Sequence, residues 1–215
     1  MDCWEKLLEH YDEIIYMPMS SGLSGGCQTA TMLAEEYGGS VNVVDNHRIS
    51  VTLRQSVLEA KHLADQGITA REIVEYLEQN GLEASIYVAV NTLEYLKRSG
   101  RVTAAGAAIG TILNLKPVLQ IQGGKLDAYR KARGMRPAMQ TMIGGLKHDQ
   151  VGRFAGQKLT IRAAYSGDAE AGAAWQAELQ KAFPEMTIGL DPLPISISCH
   201  TGEGALGVGM MKDIF

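Results

Sequence analysis

The chain has 215 residues, of which 46% are hydrophobic and 20% charged, and carries a formal charge of -4. A pI near 5.7 and a mean hydropathy of -0.06 suit a globular protein with a sizeable core, in one large or two small domains, and give no basic footprint for nucleic acid. Cys3, Cys27 and Cys199 are odd in number and far apart, so they spell neither a disulfide framework nor a zinc pattern; no apolar run reaches membrane-span length. The amino terminus lacks the basic and apolar regions of a signal peptide, and a cytoplasmic location is expected.

A helix-like segment at residues 4–10 leads into an apolar run at residues 14–19, which stops at Ser20-Ser21-Gly22-Leu23-Ser24-Gly25-Gly26. Helical spacing (Ala30, Leu33, Ala34, Tyr37) follows at once, so the unit reads as strand, turn and helix. Such a turn places the first helical N–H groups and the positive end of the macrodipole where a carboxylate or phosphate can bind. The plainer alternative is that Ser24 caps the helix and the glycines make the turn.

Residues 41–45 read as a short strand ending in Asp45, and helical patterns follow at 51–65 and 70–79. Gly67 ends the first of these helices, and Thr69 with Glu72 forms a capping box for the second. Residues 84–90 read as a further strand, and this alternation predicts parallel β-α-β units. From Asn91 the texture changes: a helix at 91–99, a small-residue stretch at 103–113, and a hairpin of 116–122 and 125–131 around Gly123-Gly124. A helix at 135–147, a strand at 159–165, a helix at 169–182 and strands at 187–190 and 195–199 complete an α+β pattern, with a domain boundary near Glu83.

Gly22-Leu23-Ser24-Gly25-Gly26 satisfies G-x-S-x-G, and Asp45 or Asp191 with His200 would supply the order of an α/β-hydrolase triad, although neither acid nor histidine has a local signature. Gly202-Glu203-Gly204-Ala205-Leu206-Gly207 matches a dinucleotide fingerprint, but too little chain follows for the fold that motif requires, and a glycine-rich loop after His200 is expected instead. The five histidines show no metal-ligand spacing, and Arg130, Lys131, Arg133 and Arg136 make a basic cluster suited to a carboxylate or phosphate.

Taken in order, Ser20-Ser21-Gly22-Leu23-Ser24-Gly25, Tyr95-Leu96-Lys97-Arg98-Ser99-Gly100-Arg101, Leu113-Asn114-Leu115-Lys116-Pro117, Lys131-Ala132-Arg133-Gly134 and the His200–Gly207 motif make the chain resemble the DegV family. The resemblance implies a two-domain α/β protein: a parallel-sheet α/β domain (residues 1–83) with the carboxylate-binding turn, and an α+β domain (84–215) lining an acyl-chain tunnel, the ligand lying between them. It implies a non-catalytic protein that binds a long-chain fatty acid and presents the carboxylate to a fatty acid kinase for phospholipid synthesis. By the same resemblance Ser24 donates to the carboxylate with Ser21 and Gly25 beside it, Arg133 and His200 lie near, and Ile109 and Leu113 line the tunnel. Burial of the acyl chain at roughly 0.8 kcal/mol per methylene would then supply most of the affinity. Neither cofactor, metal nor nucleic acid is expected, and any membrane contact would be transient.

The family pattern also includes a preceding segment with a first strand and a Thr-Ser-Gln-Pro motif, so an amino-terminally truncated form is expected. Gly26-Cys27 departs from the threonine or serine followed by tyrosine more usual there. Two rivals stay open: a serine esterase or thioesterase using Ser24, and a truncated relative that binds nothing.

Overall fold

The computed structural model describes residues 1–108, 115–122 and 126–214. Ile109, Leu113 and the Gly123-Gly124 turn lie outside the described residues. The chain divides into two units, one comprising Met1–Ile49 and Leu53–Leu82, the other Ser50–Thr52 and Glu83–Ile214.

The first unit runs α1 (Asp2–Leu8), β1 (Ile14–Tyr16), α2 (Gly26–Ala34), a 3-10 turn (Glu35–Tyr37) and β2 (Val41–Val43), then α3 (Ser50–Asp65), whose residues Ser50–Thr52 belong to the second unit, and α4 (Ala70–Gln79). β1 and β2 pair in parallel, Ile14 opposite Val41 and Tyr16 opposite Val43. Parallel partners need a crossover, and α2 supplies it. Trp4 packs with Ala30, Ala34 and Val41, and meets the rings of Tyr16 and Tyr37 edge-on at 5.3 and 5.5 Å. Val44, Ala60, Ile73 and Leu77 form a second small core. The predicted capping box starts α4, the Thr69 hydroxyl accepting the Glu72 amide at 3.3 Å while Glu72 accepts the Thr69 amide at 3.1 Å.

The second unit contains β3 (Ala84–Ala89), α5 (Glu94–Ser99), α6 (Ala104–Ala107), β4 (Leu115–Ile121), β5 (Asp127–Arg133) and α7 (Met135–Val151). It continues through β6 (Leu159–Tyr165), α8 (Ala169–Ala182), β7 (Gly189–Pro192), α9 (Ile195–Thr201) and β8 (Leu206–Lys212). The sheet order is β5-β4-β3-β8-β6-β7, antiparallel except for β6 with β7. Alternate strand residues (Tyr87 and Ala89, Ile161 and Ala163, Leu206, Val208 and Met210) meet Met142 and Leu146 of α7 and Trp175 and Leu179 of α8 in one core. The buried Trp175 indole donates to the Gly207 carbonyl at 2.7 Å.

Three expectations are corrected. The strand at 84–90 does not continue a parallel β-α-β series, because β3 joins the other sheet and pairs antiparallel with β4 and β8. Residues 195–199 alternate apolar and polar like a strand but form α9: the Pro194 carbonyl accepts the amides of both Ile197 and Ser198 at 2.9 Å, and Ile195 is 86% exposed. The glycine-rich end, read as a loop, supplies β8 in the middle of the sheet. Gly209 is needed there because a Cβ would lie 2.7 Å from Val51 Cγ2, a close approach that glycine alone permits.

Candidate functional site

The turn after β1 is organised by Ser20, which is fully buried. Its carbonyl accepts the amides of Leu23 (2.9 Å) and Ser24 (3.1 Å), and its hydroxyl oxygen accepts the Gly22 amide at 3.2 Å. Two glycines then bring the chain into α2, whose first turn holds no acidic residue to compete with an anion at the helix start. The N-cap is Gly25 and has no side-chain cap, but Ser24 just before it braces the helix start, its Oγ accepting the Gly26 amide at 3.1 Å. That bond occupies a lone pair and leaves the hydroxyl proton available, so bracing the turn and donating to an anion are compatible roles for one serine.

Ser21 is turned differently. Its amide donates to Asp45 Oδ1 at 3.2 Å and its hydroxyl donates to the same carboxylate. Burial pushes the Asp45 carboxyl up, but the Ser21 bonds, the His47 amide and the His47 charge outweigh it and hold the group below its ordinary value. Cys27 is a poor nucleophile here: burial, then the Asp45 charge, pushes its thiol up. The two acids considered for a hydrolase triad are engaged elsewhere, Asp45 with Ser21 and His47, and Asp191 with Arg162 Nε at 2.7 Å.

Ser21, Ser24 and Gly25 thus share one turn of the first unit, whereas Arg133 and His200 belong to the second. Arg133 is exposed at the end of β5, opposite Leu115. Along β5 it shares a face with Lys131 while Arg130 lies on the other, where its guanidinium sits 5.5 Å from the Tyr129 ring centre, so the basic cluster is not one patch. His200 is half-buried near the end of α9. The loop after it is pinned by Asn91, whose amide donates to the Glu203 carbonyl at 2.9 Å, and by Ser166, whose carbonyl accepts the Gly204 amide at 2.8 Å. Among the described residues no set of three or more histidine, cysteine or acidic side chains gathers as a metal site, and no helix is long and apolar enough to cross a membrane.

Asn46, Arg48 and Asn91, which support these loops, escaped sequence reading; Asn46 and Arg48 lie in the loop just after β2, the usual place for a site residue in such folds.

The model of the DegV family matches residues 1–213. A DegV domain-containing protein of Deinococcus radiodurans is 33% identical over 208 residues, 96% of this chain and 73% of that protein. A Thermotoga maritima protein named as a fatty acid-binding protein is 28% identical over 207 residues, 94% of this chain and 70% of that one. The solved structure of a Thermus thermophilus protein, described as fatty acid binding of a DegV family protein, superposes with a TM-score of 0.88 at 32% identity, covering 99% of this chain and 75% of that chain. This two-domain α/β chain therefore belongs to the DegV family.

Proposed function

We propose that this protein binds a long-chain fatty acid and holds its carboxylate at the turn before α2. The observation that carries the reading is Ser24: its Oγ accepts the Gly26 amide at the helix start while its proton stays available beside a helix terminus that holds no acidic residue. Named fatty-acid binders among the relatives support the same ligand class. Gly25 lets the carboxylate approach, and Ser21 acts through its bonds to Asp45. Arg133 and His200 enter on the strength of the family motifs, as do Ile109 and Leu113 for the acyl chain.

The role is binding rather than catalysis, and the bound acid is presented to a fatty acid kinase in the cytoplasm. Engagement of Asp45 and Asp191 elsewhere disfavours the esterase reading. The test is mass spectrometry of an organic extract of the purified protein, with Ser24→Ala and Arg133→Ala beside it. A stoichiometric, unmodified fatty acid lost in both folded variants is expected. An empty wild-type extract, together with no uptake of added palmitic acid, would refute the proposal.

A further inference from the structure

Arg48 is a buried cation of the first unit. The residue is 3% exposed and Glu59 beside it 1%. Its Nε donates to the Gly81 carbonyl at 3.1 Å, Nη2 to the Asn80 carbonyl at 2.8 Å and Nη1 to Ser56 Oγ at 3.0 Å, with Glu59 Oε2 3.5 Å from Nη1. Asn80 and Gly81 follow α4, where helix carbonyls gather partial negative charge. A Cβ on Gly81 would lie 2.4 Å from the Asn46 carbonyl oxygen, so glycine is what lets the end of α4 come this close. Asn46 ties the backbone to the same cluster, its Oδ1 accepting the Arg48 amide at 3.2 Å and its Nδ2 donating to Ser56 Oγ at 2.8 Å.

A buried ion pair is weak evidence for a stabilising role, because well-packed apolar residues often serve as well. What this one fixes is a backbone position. His47 and Ser50 adopt φ of 58° and 54°, left-handed values that non-glycine residues hold only when their surroundings over-determine them. Between them, the Arg48 carbonyl accepts the Ser20 amide at 2.9 Å. Ser20 in turn holds the amides of Gly22, Leu23 and Ser24. An unbroken path runs from guanidinium to Arg48 backbone, to Ser20, to Ser24.

We infer that Arg48 is a positioning residue for carboxylate recognition, setting the Ser20–Ser24 geometry through its own main-chain carbonyl. The inference rests on the carboxylate reading proposed above. A lysine keeps the charge but cannot offer the planar fork that bonds Ser56, Asn80 and Gly81 together.

The test compares palmitic acid with hexadecanol, which has the chain without the carboxylate, by calorimetric titration of the delipidated full chain. Wild type, Arg48→Lys and Ser56→Ala are used. In Arg48→Lys the preference for acid over alcohol is expected to fall about tenfold, the worth of roughly one hydrogen bond to a charged group, with alcohol affinity held within about twofold. Parallel loss of both ligands, or an undiminished preference, overturns the inference. If Arg48→Lys lacks the native circular dichroism spectrum, Ser56→Ala, which removes the hydroxyl shared by Asn46 and Arg48, decides by the same criterion. Wild type binding both ligands equally would overturn the carboxylate reading and the inference with it; a wild-type preference that persists in Arg48→Lys overturns the inference alone.

Discussion

The Ser21 amide and hydroxyl both donate to the carboxylate of Asp45, the amide at 3.2 Å from Oδ1. A negative charge therefore stands against one side of the turn that is proposed to receive another. The two are compatible because the turn separates its donors. Ser21 faces Asp45, while the Ser24 hydroxyl proton and the start of α2 are left for an incoming anion. On the proposed reading, an acid arriving at Ser21 would meet Asp45, and Coulomb repulsion would steer it towards Ser24.

Asp45 also gives the turn a pH dependence whose sign follows from its bonds. Burial raises the carboxyl, the Ser21 and His47 contacts together lower it by more, and the folded-state value lies below the ordinary 3.8. A group depressed in this way contributes stability above its unfolded value and loses it as pH falls through the folded value. The urea midpoint of wild type should therefore drop more between about pH 5 and about pH 3 than that of Asp45→Asn. Parallel curves for the two proteins would show that Asp45 is not held by Ser21 in solution.

The Arg48–Glu59 pair has a spectroscopic reporter in Tyr76. Burial, and then the Glu59 charge, push the phenol up to about 12, against a smaller opposing effect of Arg48. A raised value contributes stability below the ordinary 10.0 and loses it as pH rises through about 12. Glu59→Gln removes the second of the two raising causes, so in ultraviolet titration one tyrosine should ionise at lower pH than in wild type. An unmoved titration would mean that the Glu59 charge does not reach the Tyr76 phenol.

How far these features could be read in advance depended on what kind of residue carried them. The strand-turn-helix unit was legible because serine and glycine punctuate an apolar run and a helical spacing, and the capping box at Thr69 and Glu72 because it is local. β8 was hidden by its own packing: Gly209 looks like a turn residue until Val51 is seen filling the space beside it, and Gly207 until its carbonyl is seen accepting the buried Trp175 indole. α9 was hidden by an alternation in which the exposed Ile195 does not report burial. Within the site, Ser24 stood inside a motif, whereas Arg48 acts through its backbone and through carbonyls some thirty positions away at Asn80 and Gly81, which one-dimensional spacing does not encode. The antiparallel placement of β3 depends likewise on β4 and β8, both later in the chain.

The second unit carries a buried polar cluster that no motif announced, and it sets a last expectation. Tyr87, 1% exposed, donates its hydroxyl to Asp149 Oδ2 at 2.8 Å, and Gln122 Nε2 lies 3.2 Å from the phenol and 3.3 Å from the same carboxylate oxygen. Burial, then the bond to Asp149 and its charge, push the phenol well above its ordinary range, so it remains a donor at any working pH. These residues link β3, the end of β4 and α7, the elements on which one side of the sheet is built. Tyr87→Phe keeps the ring and deletes the donor, leaving a carboxylate that is 3% exposed with one fewer partner. Loss of a hydrogen bond to a buried charged group costs about 2 kcal/mol, which should appear as a lower urea midpoint followed by circular dichroism. Asp149→Asn in the same background should recover part of that loss, because a neutral amide tolerates the missing phenol better than a carboxylate does. Independent, additive losses from the two substitutions would mean that Tyr87 and Asp149 do not depend on each other.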